Sequence, residues 1–422
     1  MKHTGSKILH VDGDAFFAGC EIARFPHLKG TPVAVGGERG IACAMSYEAK
    51  RMGIHRAMPI FQIKREFPQV TVLNSHFELY HMYSEKLYKV LLRFTDRVEA
   101  YSIDECFVVF TETDMQKYGS WDTLLKQIKY EIQRDLGITF SFGLADTKVL
   151  AKVASKFEKP DGATIILESH REVILAQTPI SKIWGIGRRL SDTMEKKGIK
   201  TALDFARMTE SAVERSFSKP VVELWHELNG RSILEVSYRG SHALPKSLQA
   251  VRTFAPATSD KDFIWSEFSR NVEIICERLR TYDLTCNHAE IFFKHGRWNY
   301  VGRTVSFDFY TDDPSYMLTQ FKDELTKLYE RGIKYRMTGI TVFGLRSKGL
   351  IQRDFFGQQD DILGKDTVLE AIDAIRAKYG TRAIGLASSQ ESVQWRHKAR
   401  QSEQLNDPYI WNLPLPYLGE AN

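Results

Sequence analysis

At 422 residues the chain is too long for a single hydrophobic core, so about two to four domains are expected. Apolar residues make up 43% and charged residues 26%, the balance of an ordinary soluble globular protein and not of a disordered or membrane-embedded one. The net charge of +5 permits nucleic-acid binding without singling it out, and five scattered cysteines with no Cys-x-x-Cys pair speak against a disulfide framework or a zinc site.

The first predicted element is the apolar strand Ile8 to Val11, which runs into Asp12, a glycine-containing turn and a helix start carrying Phe16 and Phe17. Asp12 breaks this run too early for a signal peptide, and no transmembrane stretch is found, so a reducing cytoplasmic location and no membrane partner are the expectation. Residues 31 to about 77 read as a small insertion: Pro32 to Gly37 is strand and turn, Gly40 to Ser46 is a second strand rich in small residues, and Glu48 to Met52 starts a helix that Gly53 ends. From 78 to 98, Tyr80, Tyr83, Leu87, Val90, Leu91 and Phe94 recur at helical spacing as a core-facing stripe.

A hairpin follows, with a run ending near Tyr101, a tight polar turn and an apolar strand from Cys106 to Phe110. Asp104 and Glu105 are adjacent at that turn. Neighbouring strand side chains point to opposite faces, so the two can share one ion only if the turn twists them together. Taken alone, the pair reads as an exposed acidic turn, and only a second carboxylate site with matching context changes that. If the Asp12 strand lies beside this hairpin, Asp12, Asp104 and Glu105 surround one point, where carboxylates repel unless cations neutralise them. Hard cations favour such oxygen ligands, and two of them roughly 4 Å apart can clamp both oxygens of an in-line displacement.

A helix from Trp121 to about Asp135 and a strand, Ile138 to Gly143, complete a strand–helix alternation that fits a mixed sheet with helices on one face. Lys148, Lys152 and Lys156 then recur every fourth residue on one face of a helix, with Ala and Val on the other. Such a stripe is a solvated face unless something anionic meets it. Residues from about 166 to 240 read as helical, and Tyr238 to Lys246 as a linker. Residues 247 to 347 alternate strands and helices in the order β-α-β-β-α-β. A helix from Thr367 to Lys378 and a proline-rich end are expected to be partly disordered or to dock on another protein. The fold class is therefore α+β and multidomain.

Val11-Asp12-Gly13-Asp14-Ala15-Phe16-Phe17 and Tyr101-Ser102-Ile103-Asp104-Glu105 resemble the two metal-binding motifs of the Y-family, translesion DNA polymerases. The blocks Ser46 to Ile54 and Ser141 to Gly162 extend the resemblance, in the family's order, over about the first half of the chain. The later portion is most similar to the UmuC-type branch found in bacteria. The resemblance implies a right-hand architecture: a palm from 1–30 and 78–165, fingers from 31–77, a helix-hairpin-helix thumb from 166–240, a little finger from 241–347 and a C-terminal tail from 348–422.

It also implies an error-prone DNA-directed DNA polymerase that extends a primer opposite damaged template, in DNA repair and the SOS response. Its cofactor would be two Mg²⁺ ions. One is held by Asp12, Asp104 and Glu105 at the primer 3′-hydroxyl, the other by Asp12, the Gly13 carbonyl and Asp104 at the triphosphate. Gly13 departs from the larger residue that many relatives carry. Phe17 would be the steric gate against a ribose 2′-hydroxyl, with Phe16 packing beside it in the nucleotide site. Tyr47, Lys50 and Lys159 would contact the triphosphate. Lys50 stands where arginine is usual, keeping the charge but losing the planar fork. Asp14 would support the turn. Lys152 would reach neighbouring phosphates or the primer.

Ile183 to Leu190 resembles the hairpin of a helix-hairpin-helix motif, in which Gly185, Gly187 and Arg188 would bring backbone N–H groups and charge to DNA phosphates without reading sequence. Arg252, Lys294, Arg297 and Arg303 are candidate phosphate contacts in the little finger. Gln358 to Leu363 resembles a sliding-clamp peptide anchored by Gln359, Ile362 and Leu363. A RecA filament or accessory subunits are further candidate partners, besides primer-template DNA and deoxynucleotides. The alternative reading is a catalytically silent DNA-binding accessory of the same fold, against which the intact acids argue. A nucleotide cyclase-like palm is a further rival, and it would need neither the hairpin nor a second DNA-binding unit.

Overall fold

The computed structural model describes residues 6–37, 40–238, 244–350, 366–380, 383–392 and 394. They fall into two compact units, one ending at 238 and the other beginning at 244.

The first unit contains strands β1 (Lys7–Gly13), β2 (Val33–Val35), β3 (Ala44–Met45), β4 (Thr71–Leu73), β5 (Val98–Ala100), β6 (Glu105–Phe110), β7 (Phe140–Ala145) and β8 (Ala163–Ile165). Its main sheet has the order β5-β6-β1-β7-β8, with β1 in the middle and antiparallel to both neighbours. The two-residue period of a strand sorts the side chains by face. Leu9, Val11, Val108, Phe110, Phe142 and Leu144 pack against the helices Phe16–Arg24, Phe77–Leu92 and Trp121–Leu136. Ile8, Phe107, Val109 and Ala145 pack on the other face with the helix Lys148–Phe157 and the helical region that follows. Helices therefore cover both faces, where the strand–helix alternation had predicted one.

Gly143 makes the second layer feasible. A Cβ there would lie 2.1 Å from the Ala151 carbonyl oxygen and 2.2 Å from the Ser155 nitrogen, so the helix Lys148–Phe157 lies directly on the strand. That close approach also turns two lysines of the stripe inward, while Lys156 stays exposed. Lys148 Nζ meets Glu99 Oε2 at 2.8 Å and Lys152 Nζ meets Glu105 Oε2 at 2.7 Å, both lysines being buried. The anion that the stripe requires is thus supplied by the chain itself. Beside the main sheet, β3-β2-β4 forms a three-stranded sheet over its own small core, and Ser46 caps the helix Tyr47–Arg51.

The second unit runs β9 (Ser247–Thr258), helix Lys261–Thr281, β10 (Leu284–His295), β11 (Asn299–Thr311), helix Pro314–Leu328 and β12 (Tyr335–Phe343), which is the predicted β-α-β-β-α-β order. The strands pair as β11-β10-β12-β9, and Ala289, Ile291 and Phe293 face both helices. The helix Asp366–Tyr379 and the segment after it, expected to be disordered or bound elsewhere, dock instead on the helix Lys261–Thr281. Arg280 Nε lies 2.5 Å from Asp373 Oδ2, Arg376 Nη2 lies 3.3 Å from Glu273 Oε2, and Ser392 Oγ donates to Glu267 Oε1 at 2.6 Å. Glu267 and Glu273 are buried, and buried carboxylates require such partners.

Gly143→Ala should destabilise the first unit by more than about 3 kcal/mol, because two backbones would have to separate. Urea unfolding measures it. A midpoint within experimental scatter of wild type would contradict the close approach.

Candidate active site

The register of β1 against β6 sets Asp12 directly opposite Glu105. Asp12 is even-numbered like Ile8 and His10, so it lies on the face covered by the helix Lys148–Phe157, and Glu105 shares that face with Phe107. Asp104 precedes the strand, in a turn tight enough that the Tyr101 and Ser102 nitrogens both donate to the Glu105 carbonyl at 3.0 Å. The Gly13 nitrogen donates to the Asp104 carbonyl at 2.9 Å, which ties the two acidic stretches together. Burial, then the charge of Asp12, holds the Asp104 carboxyl above the usual carboxylate range, and Glu105 adds to the shift. Ser102 Oγ donates to Asp104 Oδ1 at 3.0 Å and works in the other direction.

Two lysines stand on the flanking acids. Lys159 Nζ lies 2.7 Å from Asp12 Oδ1, and Lys152 Nζ lies 2.7 Å from Glu105 Oε2. With the side chains so placed, no three His, Cys, Asp or Glu among the described residues stand ready to enclose a metal ion. The donor set nonetheless fits a hard divalent cation. It is all oxygen, its central member is pushed toward protonation by burial and then by the charges of its neighbours, and an ammonium already occupies a cation position on each of the other two.

Asp14 is buried and accepts from Ser141 Oγ at 2.8 Å and from the Asp161 nitrogen at 2.8 Å, which is the turn-supporting role expected of it. The Tyr47 hydroxyl reaches Asp14 Oδ1 at 3.5 Å, and burial followed by the charges of Asp14 and Asp12 raises its pKa, so it remains a donor. Lys50 Nζ lies 4.1 Å from the Tyr47 ring centre, and partial desolvation together with Lys159 lowers its pKa. Tyr47, Lys50 and Lys159 therefore gather beside the Asp12–Asp14 end of β1, whereas Lys152 has Glu105 as its partner.

Phe16 is buried, 6.2 Å from Phe140 between ring centres. Phe17 is half-buried and stacks on Tyr80 at 4.2 Å, nearly parallel at 11°, with Phe77 edge-on at 5.6 Å. A Cβ on Gly13 would stand 2.9 Å from Phe16 Cδ2 and 3.3 Å from Asp104 Cβ, so a larger residue here requires Phe16 to move.

His10 is a neighbour that the motifs do not reveal. It is buried, its Nδ1 shares a 2.7 Å hydrogen bond with Ser155 Oγ, and its Nε2 lies 4.0 Å from Glu105 Oε2 without a hydrogen-bond partner. Burial, then Lys152, holds its pKa well below the ordinary value. The available signal was the two-residue period that puts His10 on the face of Asp12. Trp184 is a second, with its ring beside those of Tyr101 and Phe107.

In the predicted hairpin Gly185 has φ +87°, and a Cβ there would come within 2.8 Å of Leu224, while Gly187 caps the helix Arg188–Lys196 with open space around it. Arg188 is exposed at that helix start. In the second unit, Arg252 is exposed on the edge strand β9 opposite Thr338, Lys294 lies over Tyr300 and Trp298, Arg297 lies over Trp298, and Arg303 is 3.6 Å from Glu324. Gln359, Ile362 and Leu363 lie outside the described residues.

The impB/mucB/samB family model matches residues 11–156, and the model of that family's C-terminal domain matches residues 245–355. The chain is 32% identical over 362 residues to DNA polymerase IV of Clostridioides difficile strain 630, covering 84% of this chain and 97% of the relative. It is 29% identical over 386 residues to DNA polymerase IV of Desulfatibacillum aliphaticivorans, covering 90% and 96%, and 28% identical over 346 residues to that of Listeria innocua, covering 81% and 96%. With its acidic strand ends and a match that spans nearly the whole of these relatives, the chain belongs to the impB/mucB/samB family, the Y-family of DNA polymerases.

Proposed function

We propose that this translesion DNA polymerase extends a primer by nucleotidyl transfer at Asp12, Asp104 and Glu105. The observation that carries the reading is the Asp12–Glu105 register pair with Asp104 in the adjoining turn, tied to β1 by the hydrogen bond from the Gly13 nitrogen to the Asp104 carbonyl. Asp12, the Gly13 carbonyl, Asp104 and Glu105 would hold two divalent ions, Mg²⁺ in this reading, which when bound neutralise the phosphates and make the primer 3′-hydroxyl more acidic. Tyr47 donates to the incoming triphosphate, and Lys50 and Lys159 offset its charge. Phe17, fixed by its stack on Tyr80, fills the space that a ribose 2′-hydroxyl would need.

The main sheet with 1–30 and 78–165 serves as palm, 31–77 as fingers, 166–240 as thumb and 241–347 as little finger. Gly185, Gly187 and Arg188 meet DNA phosphates in the thumb, and Arg252 is a candidate in the little finger. The clamp peptide anchored by Gln359, Ile362 and Leu363, a RecA or accessory partner, the UmuC-type branch and SOS induction rest on the sequence resemblance, and cytoplasmic location on the early break at Asp12 and the absence of an apolar spanning stretch. The silent-accessory alternative is not favoured, since a scaffold gains nothing from three coupled acids.

Asp104→Asn should abolish primer extension while raising the thermal midpoint in EDTA. A carboxyl whose folded pKa is raised costs stability as pH climbs from its unfolded value through its folded one, and the amide carries no such cost. A gain of about 2–4 °C per kcal/mol of relieved repulsion is expected by scanning calorimetry. Undiminished extension by Asp104→Asn would rule out the catalytic reading. Phe17→Ala should raise ribonucleotide incorporation by roughly tenfold or more, as removal of a steric barrier worth over about 1.4 kcal/mol implies. Unchanged sugar discrimination in single-nucleotide extension would remove Phe17 from that role.

A further inference from the structure

Behind Glu105 lies a group of side chains that the proposed chemistry does not use. Lys152 leaves only 7% of its side chain exposed. Its ammonium, 2.7 Å from Glu105 Oε2, also sits 4.4 Å from the Tyr101 ring centre, 5.2 Å from Trp184 and 6.0 Å from Phe107. The rings brace one another, with Trp184 edge-on to Tyr101 at 5.4 Å and tilted on Phe107 at 6.1 Å. Lys148 closes the far side, paired with Glu99 and 4.6 Å from the Phe107 centre. Tyr101 opens the acidic turn, and Trp184 directly precedes Gly185 of the hairpin. One buried cation thus joins the hairpin to an acid of the site.

An ammonium on a carboxylate oxygen competes with any divalent ion for that oxygen, and it repels the ion across a few ångströms of poorly screened space. Aromatic faces attract an ammonium most when water is excluded, so the three rings hold the competitor in place. We propose that Lys152 is a positioning residue that orients Glu105 and competes with a divalent ion for it, and that Trp184 governs this competition by seating the ammonium. Ion uptake is thereby tied to the position of the hairpin. The inference rests on the reading of Glu105 as an ion ligand.

The test is Mn²⁺ binding to the full chain without DNA, followed by the electron paramagnetic resonance of free Mn²⁺, beside steady-state primer extension. Lys152→Met should tighten Mn²⁺ binding by about tenfold and lower kcat with the nucleotide KM unmoved, because the competing ammonium is gone and Glu105 loses its orientation. Trp184→Leu should tighten it by about threefold, the double variant should match Lys152→Met alone, and Lys152→Arg should restore wild-type affinity. If Trp184→Leu does not fold, Trp184→Phe keeps a smaller ring and should give a shift of the same sign.

Additive effects in the double variant, or unchanged Mn²⁺ affinity in Lys152→Met, would overturn the proposal. Asp104→Asn separates the two levels. Weakened Mn²⁺ binding and lost extension there support the ion-ligand reading, so an unmoved Lys152→Met beside them would defeat the inference alone. Wild-type Mn²⁺ binding and extension in Asp104→Asn would defeat the underlying reading.

Discussion

Three carboxylates at the end of one antiparallel strand pair repel each other, and the surrounding structure is arranged around that repulsion. The register of β1 against β6 forces Asp12 and Glu105 together, and the turn before β6 adds Asp104. The opposing charge comes from the helix Lys148–Phe157 and the residues just after it. Lys152 reaches Glu105 and Lys159 reaches Asp12, both at 2.7 Å. These contacts require the helix to lie close on the sheet, which the missing side chain at Gly143 allows. A backbone position without chemistry of its own therefore sets the charge balance of the site.

The sequence made legible whatever depends on periodicity and on punctuation. Short apolar runs located β1 and β6 and an alternating one located β7, and the β-α-β-β-α-β order of the second unit followed from strand and helix patterns taken in turn. The acids were legible as strand ends. What a period cannot give is the identity of the neighbour across a face. The lysine stripe looked solvated or in want of an anion because its partner, Glu105, lies 47 positions away from Lys152. The second helical layer was missed for the same reason: Gly143 reads as a strand residue until a helix is seen against it. His10 was passed over as one more residue in a buried strand, although its parity already placed it on the face of Asp12.

The tail shows the same limit from another side. Asp373 and Arg376 read as ordinary surface residues of an amphipathic helix. They become a docking pattern only because the helix Lys261–Thr281 buries Glu267 and Glu273 and displays Arg280. Glu273 also pairs with Arg270 on its own helix, and the docked segment adds Arg376 and Ser392 as partners to these buried acids.

Opposed strains also meet within the candidate site. Burial and then the charge of Asp12 raise the pKa of Asp104, while desolvation and then neighbouring lysines, Lys159 for Lys50 and Lys152 for Lys156, lower the pKa of Lys50 and Lys156. A lone cation would relieve the first strain and worsen the second, and a lone polyphosphate would do the reverse. A nucleoside triphosphate together with its divalent ions offsets both at once. That requirement for matched charges favours the pair as ligand over either component, and it follows from the placement of a few lysines and carboxylates on adjoining strands and one helix.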